Sequence, residues 1–175
     1  MSLKPPYALF VLDKDIDNED LNECLQRAYD GVWQSWDIWV ATISYTDMPP
    51  PQKPRQPPPP ATQPPLPKDY TSPWVGKTVE ECATWLQKAP IEDAVDTDNF
   101  LVMNEFSKDE DIILACRIVK GEDGMKVEYY PHPTGEVSMQ MYTNDGRKWD
   151  EKALNYQRRQ RAAGRPDRSR AGPYD

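Results

Sequence analysis

Histidine is the scarcest chemically active residue in this chain, which contains only His132. A metal site needs three or four clustered ligands, and a Cys–His catalytic pair needs a histidine beside its thiol. His132 lies in Pro131-His132-Pro133, a sequence that predicts a turn between two strands. We therefore predict no metal site, no cofactor and no histidine-dependent catalysis.

Cysteine is almost as rare, with Cys24, Cys82 and Cys116 as its three occurrences and no CxxC pair among them. Each falls on the apolar side of a predicted helix or strand, where a free thiol packs as a small hydrophobic group. The odd number and the wide spacing argue against a disulfide framework and favour a reducing compartment.

Long hydrophobic runs are also missing from the sequence. No stretch approaches the ~20 apolar residues that a membrane-spanning helix requires, and the first residues lack the apolar run of a signal peptide. These absences predict a soluble protein of the cytoplasm or nucleus without a membrane partner.

Acidic residues predominate, and the net charge is -8, but the charge is unevenly distributed. From residue 147 onward the chain has nine Lys or Arg against four Asp or Glu, which leaves 12 basic and 25 acidic residues before that point. An acidic body repels nucleic acid and anionic lipid. Only the C-terminal part of the chain is suited to phosphate contacts.

The first third of the chain predicts a strand, a helix and a second strand. Tyr7–Leu12 is a continuous apolar run typical of a buried strand, and Ile38–Tyr45 is rich in β-branched and aromatic residues. Between them, apolar residues from Leu21 to Trp36 recur at helical spacing, and Asp17 or Asn18 is placed to cap that helix. A β-α-β unit is therefore expected at the start.

The second half predicts a helix followed by an antiparallel meander. Thr78 and Glu81 have the spacing of a capping box for a helix that ends near Lys88. Four strands are then expected, followed by a helix over Trp149–Arg161; the strands are Phe100–Phe106, Ile112–Val119, Met125–Tyr130 and Val137–Tyr142. Short turn-like connections between them favour antiparallel pairing. We predict one α+β domain over residues 1–157 and a flexible Arg-rich tail over 158–175.

A proline-rich insertion interrupts the domain at residues 49–68. Because proline lacks an N–H and fixes φ, this segment is expected to form an extended polyproline II loop on the surface. Within it, Pro64, Pro65, Leu66 and Pro67 match the PPLP core that some WW domains bind. This match predicts a polyproline-binding protein partner; the alternative is a stiff, soluble linker.

The acidic residues after the first predicted strand suggest a catalytic alternative. An apolar strand followed by Asp13-x-Asp15 resembles the start of haloacid-dehalogenase-type phosphotransferases, in which the first carboxylate attacks phosphorus and Mg²⁺ holds the charge. The later carboxylates of that pattern are absent from this sequence. The alternative is a solvated helix N-terminus, where carboxylates are favoured.

The arginines at the start of the tail are further candidates for binding. Arg158, Arg159 and Arg161 suit contacts with an acidic partner or with nucleic acid phosphates. No aromatic stacking platform accompanies them, so a charged, solvated terminus is the alternative.

Three stretches resemble an uncharacterised domain family of bacteria and fungi: Trp74–Glu81, Phe100–Ile118 and Lys126–Pro133. The resemblance covers about half of the chain and consists of strand patterns and a hairpin turn rather than a catalytic signature. It implies an α+β domain and carries no activity, cofactor or site residue.

These observations lead to three functional hypotheses. The first is a non-catalytic interaction or accessory protein that uses the proline-rich loop and the basic tail. The second is a small-ligand-binding protein or a Mg-dependent phosphotransferase-like enzyme that uses Asp13 and Asp15. The third is nucleic-acid binding through the tail. The second hypothesis requires those carboxylates to converge with other polar groups in a concave pocket.

Overall fold

A computed structural model describes residues 4–31, 34–57, 59–92, 94–143 and 146–162. These residues form a five-stranded sheet with helices against both of its faces. The elements in chain order are β1 (Tyr7–Val11), α1 (Asn18–Asp30), β2 (Ile38–Val40), a 3₁₀ turn (Tyr45–Asp47), α2 (Val79–Gln87), β3 (Asn99–Met103), α3 (Ser107–Glu110), β4 (Ile112–Gly121), β5 (Gly124–Pro133), a second 3₁₀ turn (Thr134–Glu136), α4 (Val137–Thr143) and α5 (Gly146–Ala162). The predicted α+β class is confirmed.

The sheet has the strand order β2-β1-β3-β4-β5. β1 runs parallel to both β2 and β3, and all five of its residues are buried. A strand covered on both faces needs an apolar side chain at every position, which explains the continuous run at Tyr7–Val11. The parallel pairing of β1 with β3 was not among the sequence-based expectations.

Two hydrophobic cores lie on opposite faces of the sheet. On one face, α1, α4 and α5 cover alternate residues of the strands; on the other face, α2 and the residues around the first 3₁₀ turn cover the remainder. Leu9 and Val11 point into the first core, whereas Ala8 and Phe10 point into the second. This alternation follows from the two-residue period of a β-strand.

The two predicted helix starts are both confirmed. Asp17 caps α1 by accepting the N–H of Asp20 at 2.9 Å, while the Asp20 carboxylate accepts the N–H of Asp17 at 3.0 Å. Thr78 and Glu81 form the same reciprocal box at α2, with distances of 3.2 and 2.8 Å. Each box satisfies N–H groups that a helix leaves unpaired at its first turn.

Helix α1 is shorter than its apolar spacing predicts. It ends at Asp30, whereas the spacing continues to Trp36, and residues 32–33 lie outside the described part of the chain. Trp36 packs against the first core from the connection to β2 rather than from the helix. An apolar residue at helical spacing can therefore belong to the core without belonging to the helix.

The proline-rich insertion covers the free edge of the sheet. β2 ends at Val40, well before the predicted Tyr45, and its outer side faces the insertion. The N–H groups of Ala61 and Thr62 donate to the carbonyls of Trp36 and Ile38 at 2.8 and 3.0 Å. We call residues 61–67 the strap, and its contacts protect an edge that would otherwise be open to strand pairing.

Strands β3, β4 and β5 form the expected antiparallel meander, but β5 is longer than predicted. It continues through Pro133, so the turn expected at Pro131-His132-Pro133 is wrong, and the chain turns instead at Thr134–Glu136. β5 is the edge strand of the sheet, and proline is tolerated there because one side of an edge strand makes no ladder bonds. His132 consequently lies inside a strand and is buried.

The predicted fourth strand of the meander, Val137–Tyr142, is wrong because this segment is the helix α4. Its buried residues are Val137, Ser138 and Met141, which follow helical spacing rather than alternation. Met and Gln are strong helix formers, and Val137 is the segment's only β-branched residue before Thr143. The apparent alternation covers too few residues to distinguish the two periods.

The predicted C-terminal helix is present as α5, which extends to Ala162. Trp149 is buried on the first core, and Arg117 lies 5.2 Å from the centre of its ring. Arg117 also forms ion pairs with Glu128 at 2.7 Å and Asp150 at 2.5 Å, which tie α5 to the β4–β5 hairpin. Because α5 ends at Ala162, the helix includes residue 158, the predicted start of the flexible tail. Residues 163–175 lie outside the described part of the chain.

Candidate cleft at the carboxyl ends of β1 and β3

The connections of the sheet diverge at β1. From β1 the chain passes through α1 to β2 on one side, and it later returns through α2 to β3 on the other side. Because the strands are parallel, β1 and β3 both end at the same edge of the sheet. Ligands of open α/β sheets bind at the carboxyl ends of the strands, where the connections diverge in this way.

Two adjoining cavities lie at this edge. The larger has a volume of about 470 Å³ and is lined by Asp13, Lys14, Ile16, Asp17, Asn18, Glu19, Leu21, Tyr70, Thr71, Ser72 and Val75. The smaller has a volume of about 260 Å³ and is lined by Leu12, Asp13, Lys14, Val75, Gly76, Lys77, Asn104 and Glu105. Asp13, Lys14 and Val75 line both cavities, so we treat them as one feature, the switch-point cleft.

Asp13 lies at the centre of the switch-point cleft and is half-buried. Its Oδ1 accepts the backbone N–H of Asp15 at 3.1 Å, which shapes the turn between β1 and α1. This bond uses one of several lone pairs on the carboxylate, so the group retains acceptor capacity for a ligand. Asp15 is exposed and lines neither cavity.

The second carboxylate in the larger cavity, Asp17, is already committed to capping α1. The hydrogen bond from the Asp20 N–H is the largest cause that lowers the pKa of the Asp17 carboxyl below its ordinary value. The first turn of α1 therefore has its negative charge supplied from within the chain. An incoming anion gains little from this helix end.

The wall opposite α1 is built by the segment that follows the insertion. Ser72 Oγ donates to the carbonyl of Val11 at 2.6 Å, and the Gly76 N–H donates to the carbonyl of Leu12 at 3.1 Å. Gly76 has φ +78, a conformation that favours glycine, and a Cβ there would meet open space. These bonds fix the wall to the end of β1.

Asn104 forms the end of the smaller cavity directly after β3. It is 3 % exposed, and its Oδ1 accepts the Phe106 N–H at 3.0 Å. Its own N–H donates to Ser107 Oγ at 2.9 Å, so the turn into α3 is held by its own polar groups. Hydrogen bonds within the turn therefore fix this end of the smaller cavity directly after β3.

Comparisons with known proteins identify no relative. No family model, no curated protein and no solved structure matches this chain. The resemblance to a bacterial and fungal domain family accordingly gains no support from a family model.

The other predicted sites lie elsewhere. Leu66 of the PPLP sequence is 8 % exposed and belongs to the first core, while Pro65 and Pro67 are exposed and Pro64 is half-buried. Binding of a partner at these four residues remains a prediction.

The predicted arginine site lies at the far end of α5. Arg158 and Arg159 are exposed on this helix, and Arg161 lies in its last turn. Contacts of these residues with a protein or with nucleic acid remain predictions.

The thiols and the histidine are buried away from the cleft. Burial raises the pKa of the Cys24 thiol to about 12 and raises the pKa values of Cys82 and Cys116 as well. Burial and the nearby Lys152 lower the pKa of His132 to about 3. Within residues 4–162, excluding the gaps, no three potential metal ligands cluster, and no helix is long and apolar enough to span a membrane.

Sequence reasoning identified Asp13 but missed the rest of the cleft. Gly76 and Lys77 lie just before the capping box of α2, in the stretch Trp74–Glu81 that resembles a bacterial and fungal domain family, and Ser72 lies outside every motif of the sequence analysis. Asn104 was assigned to the interior of a strand that ends one residue earlier. The signal that could have located Asn104 beside Asp13 is the parallel pairing of β1 and β3, which local patterns do not encode.

Proposed function

We propose that this protein binds a small polar ligand in the switch-point cleft. The observation that supports the proposal is the meeting of two cavities at Asp13, at the carboxyl ends of two parallel strands whose connections diverge. Of the two carboxylates that the second sequence-based hypothesis names, Asp13 lies among other polar groups in this cleft and Asp15 does not.

The charges around the cleft favour a ligand that carries both signs. The larger cavity is lined by the carboxylates of Asp13, Asp17 and Glu19 together with Lys14, and the smaller one is lined by Lys14 and Lys77 together with Asp13 and Glu105. A zwitterion or an amino-substituted acid can place its cationic group at Asp13 and its anionic group at the lysines. Strongly anionic ligands meet the carboxylates of α1 without a free helix end to compensate for them.

The geometry supports binding better than phosphotransfer. A Mg-dependent phosphotransferase of the type considered above uses two carboxylates that converge on one phosphoryl group. Here Asp13 lines the cleft, whereas Asp15 contributes its N–H to Asp13 and lines neither cavity. A ligand-binding role needs only Asp13 and the surrounding polar wall.

A thermal-shift screen of the full chain against zwitterionic and other small polar compounds tests the proposal. A ligand present at 100 times its Kd adds about 2.7 kcal/mol to the free energy of unfolding, which raises Tm by several degrees in a chain of this size. We expect hits that Asp13→Asn abolishes, because this substitution removes the charge and keeps an oxygen for the Asp15 N–H.

Asp15→Asn is the matched control, since it removes a neighbouring exposed carboxylate that lines neither cavity. Its Tm shifts should equal those of the wild type. Hits that survive Asp13→Asn, or that Asp15→Asn removes equally, place binding outside the cleft and contradict the proposal.

A further inference from the structure

We propose that Pro64–Pro67 is a latent ligand for a polyproline-binding domain with an aromatic groove, and that the fold masks it while the strap is closed. The proposal concerns the strap, which borders the switch-point cleft at Asn18, and it does not depend on a ligand in that cleft. Its partner class follows from the PPLP sequence, and its masking follows from where the structure places the leucine.

The side chain of Leu66 determines whether the motif is accessible, because the closed strap buries it. It is 8 % exposed and packs in the first core with residues of α1. A groove that distinguishes PPLP from other proline runs has to contact the leucine side chain as well as the prolines. One side chain cannot fill both places, so binding requires the strap to leave α1.

Polar contacts hold the strap closed from both sides. The Leu66 N–H donates to Asn22 Oδ1 at 2.8 Å, and Asn18 Nδ2 donates to the carbonyl of Pro67 at 3.1 Å. At the other end, the Ala61 N–H donates to the carbonyl of Trp36 just before β2, and Thr62 bonds to the edge of β2 itself. The closed strap thus has anchors on a helix and on a strand, and a partner must replace them.

The prolines that flank the leucine remain accessible. Pro65 and Pro67 are exposed in the closed form, although the Leu66 N–H between them donates to Asn22 and the carbonyl of Pro67 accepts from Asn18. A partner that recognises the complete motif binds only the open form, so its apparent affinity falls in proportion to the open fraction. Any substitution that weakens an anchor should therefore strengthen partner binding.

Titration calorimetry with an isolated WW domain of the PPLP-binding class tests this relationship. We compare three forms: the full chain, the full chain with Asn22→Ala, and a free peptide of residues 59–70. The peptide should bind at least about tenfold more tightly than the full chain, because it has no closed form to open. Asn22→Ala should bind with an intermediate affinity.

Two controls separate masking from general unfolding. Glu23→Ala changes an exposed residue next to Asn22 on α1 and should bind as the wild type does. If Asn22→Ala loses its helical circular dichroism signal, Thr62→Val weakens the strap from the β2 side and takes its place.

Three outcomes would overturn the proposal. Equal affinities of the full chain and the peptide would show that the motif is not masked. No binding of the peptide would show that Pro64–Pro67 is not a ligand of this class. Unchanged affinity in both folded anchor variants would show that the strap does not control access.

Discussion

The hydroxyl of Thr62 accepts the backbone N–H of Val40 at 2.9 Å, so a side chain from the proline-rich insertion satisfies the edge of the sheet. Val40 is buried, and its N–H would otherwise face the free side of β2. Proline-rich sequence cannot supply a regular strand, but one threonine hydroxyl and two backbone N–H groups close the edge.

Replacing Thr62 with Val should destabilise the protein. The substitution keeps the branched shape but removes the acceptor, and a buried N–H without a partner costs about 1–3 kcal/mol. We expect that loss in the free energy of unfolding from urea titration, together with faster hydrogen exchange of the Val40 amide.

Thr62→Ser is the matched control, because it retains the hydroxyl and loses only the methyl group. It should keep the slow exchange of the Val40 amide. Similar exchange rates in Thr62→Val and the wild type would mean that this hydrogen bond does not protect the edge.

Replacing Gly31 with Ala tests the close approach of two loops. Gly31 follows α1, and a Cβ at this position would overlap the carbonyl oxygen of Gly135, which precedes α4. Because the clash is with backbone on both sides, we expect destabilisation of about 1–3 kcal/mol, as for overpacked cores. Thermal unfolding measures the change.

Gly121→Ala provides the comparison for Gly31→Ala. A Cβ at Gly121 meets its nearest atom, the Gly124 carbonyl oxygen, at 4.0 Å, which is an ordinary contact. This substitution should be neutral or stabilising by up to about 1 kcal/mol, since alanine has less freedom in the unfolded chain. Equal effects at the two positions would refute the close approach.

His132 should make stability fall with acid between about pH 6.5 and 3. Its folded pKa of about 3 lies below the ordinary value of 6.5, so the folded protein keeps the ring neutral while the unfolded chain takes up a proton. The free energy of unfolding should then decrease by up to about 1.4 kcal/mol for each pH unit below 6.5. The contribution is fully present above pH 6.5.

The matched variant is His132→Phe, which keeps an aromatic ring beside Tyr130, whose ring centre lies 4.5 Å from that of His132. Because carboxyl groups titrate equally in both proteins, the difference between their urea stabilities isolates the histidine. Parallel pH curves for the two proteins would show that His132 is not held neutral by burial.

Much of the fold could be predicted because its signals are local. The capping boxes at Asp17 and Thr78 each lie within four residues of sequence, and the run at Tyr7–Val11 identifies a buried strand. The errors arise where a short pattern fits both the helical and the strand period, or where packing against the rest of the fold decides the local structure. Apolar and polar residues alternate over Val137–Tyr142, yet this segment forms a helix. Pro133 was expected in a turn but is the last residue of an edge strand.

The cleft could be predicted only in part. Asp13 was identified because a carboxylate directly follows an apolar strand, a pattern visible in the sequence. Its partners on the opposite wall, Ser72 and Gly76, come from about 60 residues later and are fixed there by hydrogen bonds to the carbonyls of Val11 and Leu12. The masking of Leu66 was likewise hidden, since nothing local distinguishes a docked proline segment from a free one.

The central claim, that the switch-point cleft binds a small polar ligand, is tested most directly by residue-resolved NMR. A library of small polar compounds, including zwitterions, is titrated into ¹⁵N-labelled full chain, and amide shifts are followed in ¹H–¹⁵N spectra. The account predicts that saturating hits move the amides of Asp13, Lys14, Gly76 and Asn104 together, and that Asp13→Asn weakens these responses. Hits that cluster elsewhere in the chain, with those four amides unmoved, would contradict it.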